Sequence, residues 1–267
     1  MRLIASIWLF TLVAGCASNA QRIDALARSA ELERFVIESN QLRSLVYLRA
    51  MPSDDSRLVV FLEGDGQPWH AGIVPNEDPT TSDPLALELL LRTPGKAAYV
   101  ARPCYQAVPS ERCSYELWTN ARYSESIVNA MVSAIIETSS RAETQELVLV
   151  GHSGGGVLAV LIAERMKSVV AVVTIAANLD IDAWTKHHQY LPLSGSLNPA
   201  RSDHEHPWIE VHLAGRKDVV VPSDTTNAYF ERYPSAHRWT FEEHGHKCCW
   251  VEEWEQLRDK IEKEIDK

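Results

Sequence analysis

Residues 147–156 run Leu147-Val148-Leu149-Val150-Gly151-His152-Ser153-Gly154-Gly155-Gly156, an apolar run that ends in a glycine-serine-glycine cluster and leads into the helix-compatible stretch Val157–Met166. An apolar run of that length bounded by glycine reads as a buried strand, and the glycines predict a tight strand-to-helix turn. A serine at such a turn needs near-absent side chains two positions either side, so that strand and helix can approach closely. Gly151 and Gly155 provide that clearance around Ser153. The turn would hold the Ser153 hydroxyl out from the sheet edge and aim the Gly154 N–H from a helix N-terminus, where negative charge is favoured. Ser153 is therefore a candidate nucleophile.

A serine is a weak nucleophile at neutral pH and needs a base, itself oriented by an acid. Candidates for both follow later in the chain. Asp218 stands in Val211-His212-Leu213-Ala214-Gly215-Arg216-Lys217-Asp218, where a strand runs out into a glycine turn, and His246 ends the alternating stretch Trp239–His246. Carboxyl ends of strands are where active sites collect in open α/β sheets. Asp180, after the strand that ends near Ala177, is a rival acid, and His244 would share a strand face with His246, so spacing alone does not separate them. Gly215-Arg216-Lys217-Asp218 followed by Val221-Pro222 favours Asp218, and Gly245-His246 favours His246. His152 reads as packing or turn chemistry. His187, His188, His204 and His206 lack a helical ligand spacing with a partner carboxylate, so a solvated or lid role is expected of them and no metal or cofactor is predicted.

The ordered Ser153, Asp218, His246 set on a G-x-S-x-G turn resembles the α/β-hydrolase superfamily, over the span from Arg57 to the C-terminus. The resemblance implies an α/β fold with a mostly parallel central sheet flanked by helices on both faces and a short cap or loop insertion. It also implies an oxyanion hole built from the N–H of Gly154 and a second N–H in Phe61-Leu62-Glu63-Gly64-Asp65-Gly66, which by the match is that of Asp65. Relatives often carry histidine where this chain has Glu63, and a carboxylate beside a developing oxyanion is unwelcome unless it points elsewhere.

Patterning along the chain agrees with that fold class. Phe35–Glu38 and Leu45–Arg49 alternate as strands and would open the sheet as an antiparallel pair. Strands at Leu58–Leu62, Ala97–Ala101, Leu147–Val150, Val169–Ile175, Ile209–Ala214 and Arg238–Glu242 alternate with helical stretches at Pro84–Leu91, Ser124–Thr138, Val157–Met166, Asp224–Tyr233 and Cys249–Ile265. Such alternation predicts a parallel sheet covered on both faces. Two loops are placed to shape a pocket: Gln67–Asp83, with Trp69, His70 and three prolines, and Ile181–Pro207, with Trp184, Tyr190, Leu191, Leu193 and Leu197. The second is either a short roof over an acyl pocket or a packed surface loop. Arg102, Trp118 and Arg122 either bind an acidic group or pack a loop closed by a disulfide.

Met1-Arg2, the apolar stretch Leu3–Val13 and then Ala14-Gly15-Cys16 form a targeting segment too short for an ordinary membrane span. Leu12–Cys16 resembles a bacterial lipoprotein signal, which implies a signal peptide at 1–15, a lipid on Cys16, a polar spacer at 16–30 and the hydrolase domain at 31–267. Ala17 and Ser18 resemble the start of lipoproteins passed on to the outer membrane, with the domain expected on the periplasmic side. Removal of residues 1–15 leaves 252 residues, enough for one α/β domain. A net charge of −10 argues against nucleic acid as a partner and offers no basic patch for anionic headgroups. Discounting Cys16, the four cysteines Cys104, Cys113, Cys248 and Cys249 allow three disulfide pairings, among them a local Cys104–Cys113 loop and cross-staples that fix the histidine loop. The expected activity is hydrolysis of an ester or thioester through an acyl-enzyme. An amidase with the same machinery and a catalytically silent envelope-binding or scaffolding lipoprotein are the alternatives, and the sequence leaves the oligomeric state open.

Overall fold

A computed structural model of the chain describes residues 17–50 and 56–267, so the 1–15 leader and Cys16 lie outside the described residues. In chain order the strands are β1 Glu33–Ser39, β2 Leu42–Arg49, β3 Arg57–Leu62, β4 Trp69–His70, β5 Val74–Pro75, β6 Ala97–Val100, β7 Glu146–His152, β8 Val169–Ile175, β9 Ile209–Gly215 and β10 His237–Phe241. The helices are α1 Asn19–Ser29, α2 Leu85–Leu91, α3 Glu125–Arg141, α4 Gly154–Ala163, α5 Ile181–His187, α6 Asn227–Arg232 and α7 Trp254–Ile265. Eight strands form one sheet in the order β1-β2-β6-β3-β7-β8-β9-β10. β1 and β2 pair antiparallel, as their alternation predicts, and β2 pairs antiparallel with β6. From β6 to β10 every pairing is parallel, the result expected when strands and helices alternate along the chain.

The period-2 geometry of a strand divides the core into two layers. Leu58, Val60 and Leu62 of β3 and Leu147 and Leu149 of β7 face α3 and α4, in a cluster that includes Ile127, Met131, Val157 and Leu161. Phe61, Val148 and Val150 face the other way, with Ile23 of α1, Leu85 and Leu89 of α2 and Trp254 and Ile261 of α7. All ten residues of α4 are buried, so this helix has no solvent face and is held wholly by its packing beneath the middle of the sheet.

Residues 19–29, read from their polarity as part of a spacer, are helix α1. Ser18 Oγ accepts a hydrogen bond from the Gln21 N–H at 3.2 Å and Gln21 Oε1 accepts one from the Ser18 N–H at 2.8 Å, a capping box that starts the helix. Ala20, Ile23 and Ala27, spaced three and four apart, carry its buried stripe. Burying an isoleucine is worth about 1.5–3 kcal/mol, which is what holds this otherwise polar helix on the domain. The stretch Asp224–Tyr233 divides into a 3-10 turn at Ser223–Thr226 and the short α6. The last helix starts at Trp254 instead of Cys249, because the Trp250 indole N–H bonds back to the Gly245 carbonyl at 3.0 Å and curls the chain before the helix begins.

Candidate active site

The strand-to-helix turn after β7 forms as the glycine spacing requires. A Cβ on Gly151 would sit 2.3 Å from the Gly155 carbonyl oxygen, and one on Gly155 would sit 2.1 Å from that of Leu62, so neither position has room for a side chain. Ser153 is caught between them with φ 53°, left-handed backbone that costs a non-glycine residue about 1–3 kcal/mol. β3 and β8 flank β7, so Ser153 stands at the carboxyl end of a central strand, where the loops after β3, β8 and β9 also emerge.

Asp218 and His246 reach Ser153 from two of the neighbouring loops. His246 Nδ1 is 2.9 Å from Asp218 Oδ2, and His246 Nε2 is 3.1 Å from Ser153 Oγ. Because a carboxylate only accepts, Nδ1 carries the proton and Nε2 faces the serine hydroxyl with its lone pair. The other carboxylate oxygen of Asp218 accepts from the N–H groups of Val220 and Val221, both at 2.8 Å, which fixes its plane. Burial holds the His246 pKa below the ordinary histidine value; His152 pushes the same way, against the opposing pull of Asp218. The imidazole is thereby kept neutral at neutral pH.

The rivals are placed elsewhere. Asp180 caps α5, accepting from the N–H groups of Asp182 and Ala183, and takes a further bond from Asn198. His244 is buried against Phe241 and Trp250, with Nε2 3.5 Å from Glu253. His152 Nε2 donates to the His246 carbonyl at 2.9 Å, so it supports the histidine loop, in line with its reading as turn chemistry. His187 and His204 are exposed, and His188 bonds to the Val220 carbonyl. The expectation of a solvated or lid role fails for His206, whose side chain is 3% exposed between Glu164 and Glu210.

Both carboxylates of the loop after β3 are turned away from the serine. Glu63 Oε2 accepts the Ala86 N–H at the start of α2, at 3.1 Å, and Glu63 Oε1 accepts its neighbour's N–H at Gly64, at 3.2 Å. Asp65 is held by Arg102 at 2.9 Å, by Arg122 at 2.7 Å and by the Tyr123 hydroxyl at 2.8 Å. Burial alone would raise the Asp65 carboxyl, yet the Arg122 and Arg102 guanidiniums bring it down to about 2. Arg102 and Arg122 thus do bind an acidic group, one supplied by this chain, while Trp118 packs into the core. A Cβ on Gly154 would fall 2.0 Å from Asp65 Oδ1 and 2.7 Å from Arg102, so this ion cluster lies directly against the first residue of α4. The cluster escapes sequence reading because nothing in the local pattern joins residue 65 to residues 102 and 122.

Of the three cysteine pairings, the structure holds Cys104–Cys113 and Cys248–Cys249. No disulfide therefore staples the histidine loop to the loop after β6. That loop is held instead by the Lys217 N–H on the His244 carbonyl, the Gly245 N–H on the Cys248 carbonyl and the bond from His152. The Ile181–Pro207 insertion contains α5 and is fastened over the loop after Asp218 by the Trp184 indole, which donates to the Val220 carbonyl at 2.7 Å. A cavity of about 480 Å³ lies behind this insertion, between Leu161, Ile181, Leu193 and Leu197, and Ser153, Asp218 and His246 do not line it.

No family model matches the sequence, and no curated protein matches it. Solved structures do resemble it. The Pyrococcus furiosus esterase Pf2001 is 12% identical and superposes with a TM-score of 0.64 over 90% of this chain and 92% of its own. Est1E from Butyrivibrio proteoclasticus is 12% identical, with a TM-score of 0.58 over 88% of this chain and 99% of that one. Naproxen esterase from Bacillus subtilis is 11% identical, with a TM-score of 0.57 over 93% of this chain and 99% of its own. At that identity the likeness establishes the fold, which is the α/β-hydrolase fold expected from the ordered residues.

Proposed function

We propose that this chain is a serine hydrolase that cleaves a carboxylic ester or thioester through an acyl-enzyme, held in the bacterial cell envelope by a lipid on Cys16 and facing the periplasm from the outer membrane. The observation that carries the catalytic half is the unbroken hydrogen-bond path from Asp218 through His246 to Ser153, ending at a strained serine on a helix N-terminus. The envelope half rests on the leader ending at Cys16.

In this reading Ser153 Oγ attacks the acyl carbonyl carbon while His246 Nε2 takes the hydroxyl proton, and Asp218 stabilises the imidazolium through Nδ1–H. The carbonyl oxygen becomes an oxyanion received by the N–H of Gly154, which as a first-turn helix donor has no intrahelical partner. The second donor is the N–H of Asp65, since the N–H of Gly64 is taken by Glu63. The protonated histidine then delivers its proton to the departing alcohol or thiol. Water, deprotonated by the same His246, attacks the acyl-serine and releases the acid and the free Ser153 hydroxyl.

The test is fluorophosphonate labelling of the full chain in detergent, followed by turnover of p-nitrophenyl esters of increasing length and of the matching anilides. Native protein should label and hydrolyse esters in preference to anilides. Ser153→Ala should abolish labelling, Asp218→Asn should lower kcat by about 10,000-fold and His246→Ala by about a million-fold, with circular dichroism showing each variant folded. A folded native protein that does not label would point to a silent binding lipoprotein, and preference for anilides would point to an amidase.

A further inference from the structure

The loop after β3 returns on itself as a short hairpin of two two-residue strands. Trp69 pairs with Pro75 and His70 with Val74, around a turn in which Ala71 and Gly72 both take positive φ. Its tip shows solvent three large apolar side chains, Trp69, Ile73 and Val74, at 41%, 78% and 54% exposure. The loop that carries this hairpin begins and ends beside the triad. A Cβ on Gly64, at its start, would lie 3.3 Å from Ser153 Cβ, and at its end Asp83 pairs at 3.1 Å with Lys247, the neighbour of His246.

A second exposed apolar group flanks the triad on the acid side. Val219 and Val220 follow Asp218 directly, and Tyr190 and Leu191 are brought beside them by α5, since Trp184 and His188 both bond to the Val220 carbonyl and Tyr190 stacks on His188. Exposed apolar side chains clustered in this way, on loops that leave the carboxyl ends of the strands, mark an interaction surface.

The N-terminus of the described chain is tied to the base of the hairpin. Asn19 Nδ2 donates to Gln67 Oε1 at 3.2 Å and to the Thr80 carbonyl at 2.9 Å, so the start of α1 is pinned to both arms of the hairpin at its base. Only two residues, Ala17 and Ser18, separate Asn19 from position 16, three Cα–Cα steps with a reach of at most about 11 Å. A lipid on Cys16 would therefore enter its bilayer close to the hairpin base.

We propose that the active-site face docks on the bilayer that holds the anchor, with Trp69, Ile73 and Val74 entering the headgroup and acyl boundary, and that the substrate is an ester carried by an amphiphile of that bilayer. The proposal rests on the serine-hydrolase and lipid-anchor reading above. With a net charge of −10 the chain gains nothing from anionic headgroups, so the anchor and apolar contact are the two forces available, the anchor holding the domain at the bilayer and apolar contact setting which face meets it. Tryptophan suits the boundary because its ring is apolar and its N–H polar.

The experiment uses the full anchored chain reconstituted into phosphatidylcholine vesicles containing brominated phosphatidylcholine. Trp69 should be quenched on contact with the bromines, so native protein should lose a fraction of its fluorescence that the Trp69→Phe variant does not; equal fractional quenching of both overturns docking. In the second arm the rate on a vesicle-borne fluorogenic phospholipid is divided by the rate on a short soluble p-nitrophenyl ester. Ile73→Asp/Val74→Asp should lower that ratio at least tenfold, and an unchanged ratio overturns the proposal. Fluorophosphonate labelling of the same samples keeps the two readings apart, because loss of labelling removes the hydrolase reading while leaving the quenching result to decide docking.

Discussion

Asp65 is the residue on which sequence and structure most differ in what they assign. By position in the chain it is a backbone donor in a glycine loop; in the structure its side chain also joins two buried arginines to a tyrosine beside the first turn of α4. Removing one member of a buried ion cluster costs about 3–5 kcal/mol because the partners are left charged and out of water. Asp65→Asn keeps the shape and removes the charge, so the unfolding free energy read from urea titration at pH 7 should fall by that order. The sign of the pH dependence follows from the depressed carboxyl: the stabilisation is fully present above the ordinary carboxylate range and is lost as pH falls toward about 2. The difference between native and variant should therefore close as the titration is carried to pH 2. The tight turn at Ser153 was legible in the sequence because glycine clearance is a local steric demand. The counter-ions of Asp65 were not, because an ion pair depends on where separate loops meet.

Among elements, the insertion between β8 and β9 shows how a loop that breaks the βα alternation is held. His206 near its end lies with Nδ1 2.5 Å from Glu210 Oε1 and Nε2 3.5 Å from Glu164 Oε1, stacked on Tyr233 at 3.8 Å. It thereby joins β9, the end of α4 and the chain after α6. Burial alone would lower its pKa, but the two carboxylates outweigh burial and raise it. A raised histidine gives stability that is complete below its unfolded pKa, about 6.5, and that is lost as pH rises through the folded value. His206→Gln should therefore destabilise the protein by about 1.5–3 kcal/mol in denaturant at pH 6, with the deficit shrinking at pH 9. α1 reads as spacer by its polarity, and the signal that would have found it is the capping-box spacing of Ser18-Asn19-Ala20-Gln21. α5 carried no comparable signal, since seven residues with a two-residue buried set are too few for a period to emerge.

At the scale of the whole molecule, the loops after β3, β7 and β9 and the insertion after β8 leave the same end of one sheet, and the segment from Ala101 to Ser124 closes over that end with little regular structure. Cys104–Cys113 fastens this segment. Closing a loop of about ten residues constrains the unfolded chain by about 2.5 kcal/mol, so Cys104→Ala/Cys113→Ala should melt about 5–10 °C below native protein in calorimetry. The sequence by itself determined the βα order, the antiparallel opening pair and the serine turn, because hydrophobic period and glycine clearance act between residues close in the chain. It narrowed the acid to Asp218 or Asp180 and the base to His246 or His244, and left three cysteine pairings open. Only the tertiary structure decided which of these groups meet, by setting His246 2.9 Å from Asp218, placing Asp180 at a helix cap and His244 against an aromatic wall, and pairing each cysteine with its near neighbour. Hydrogen bonds, ion pairs and disulfides are contacts of a few ångströms between residues tens of positions apart, and packing of the sheet and its helices sets those distances.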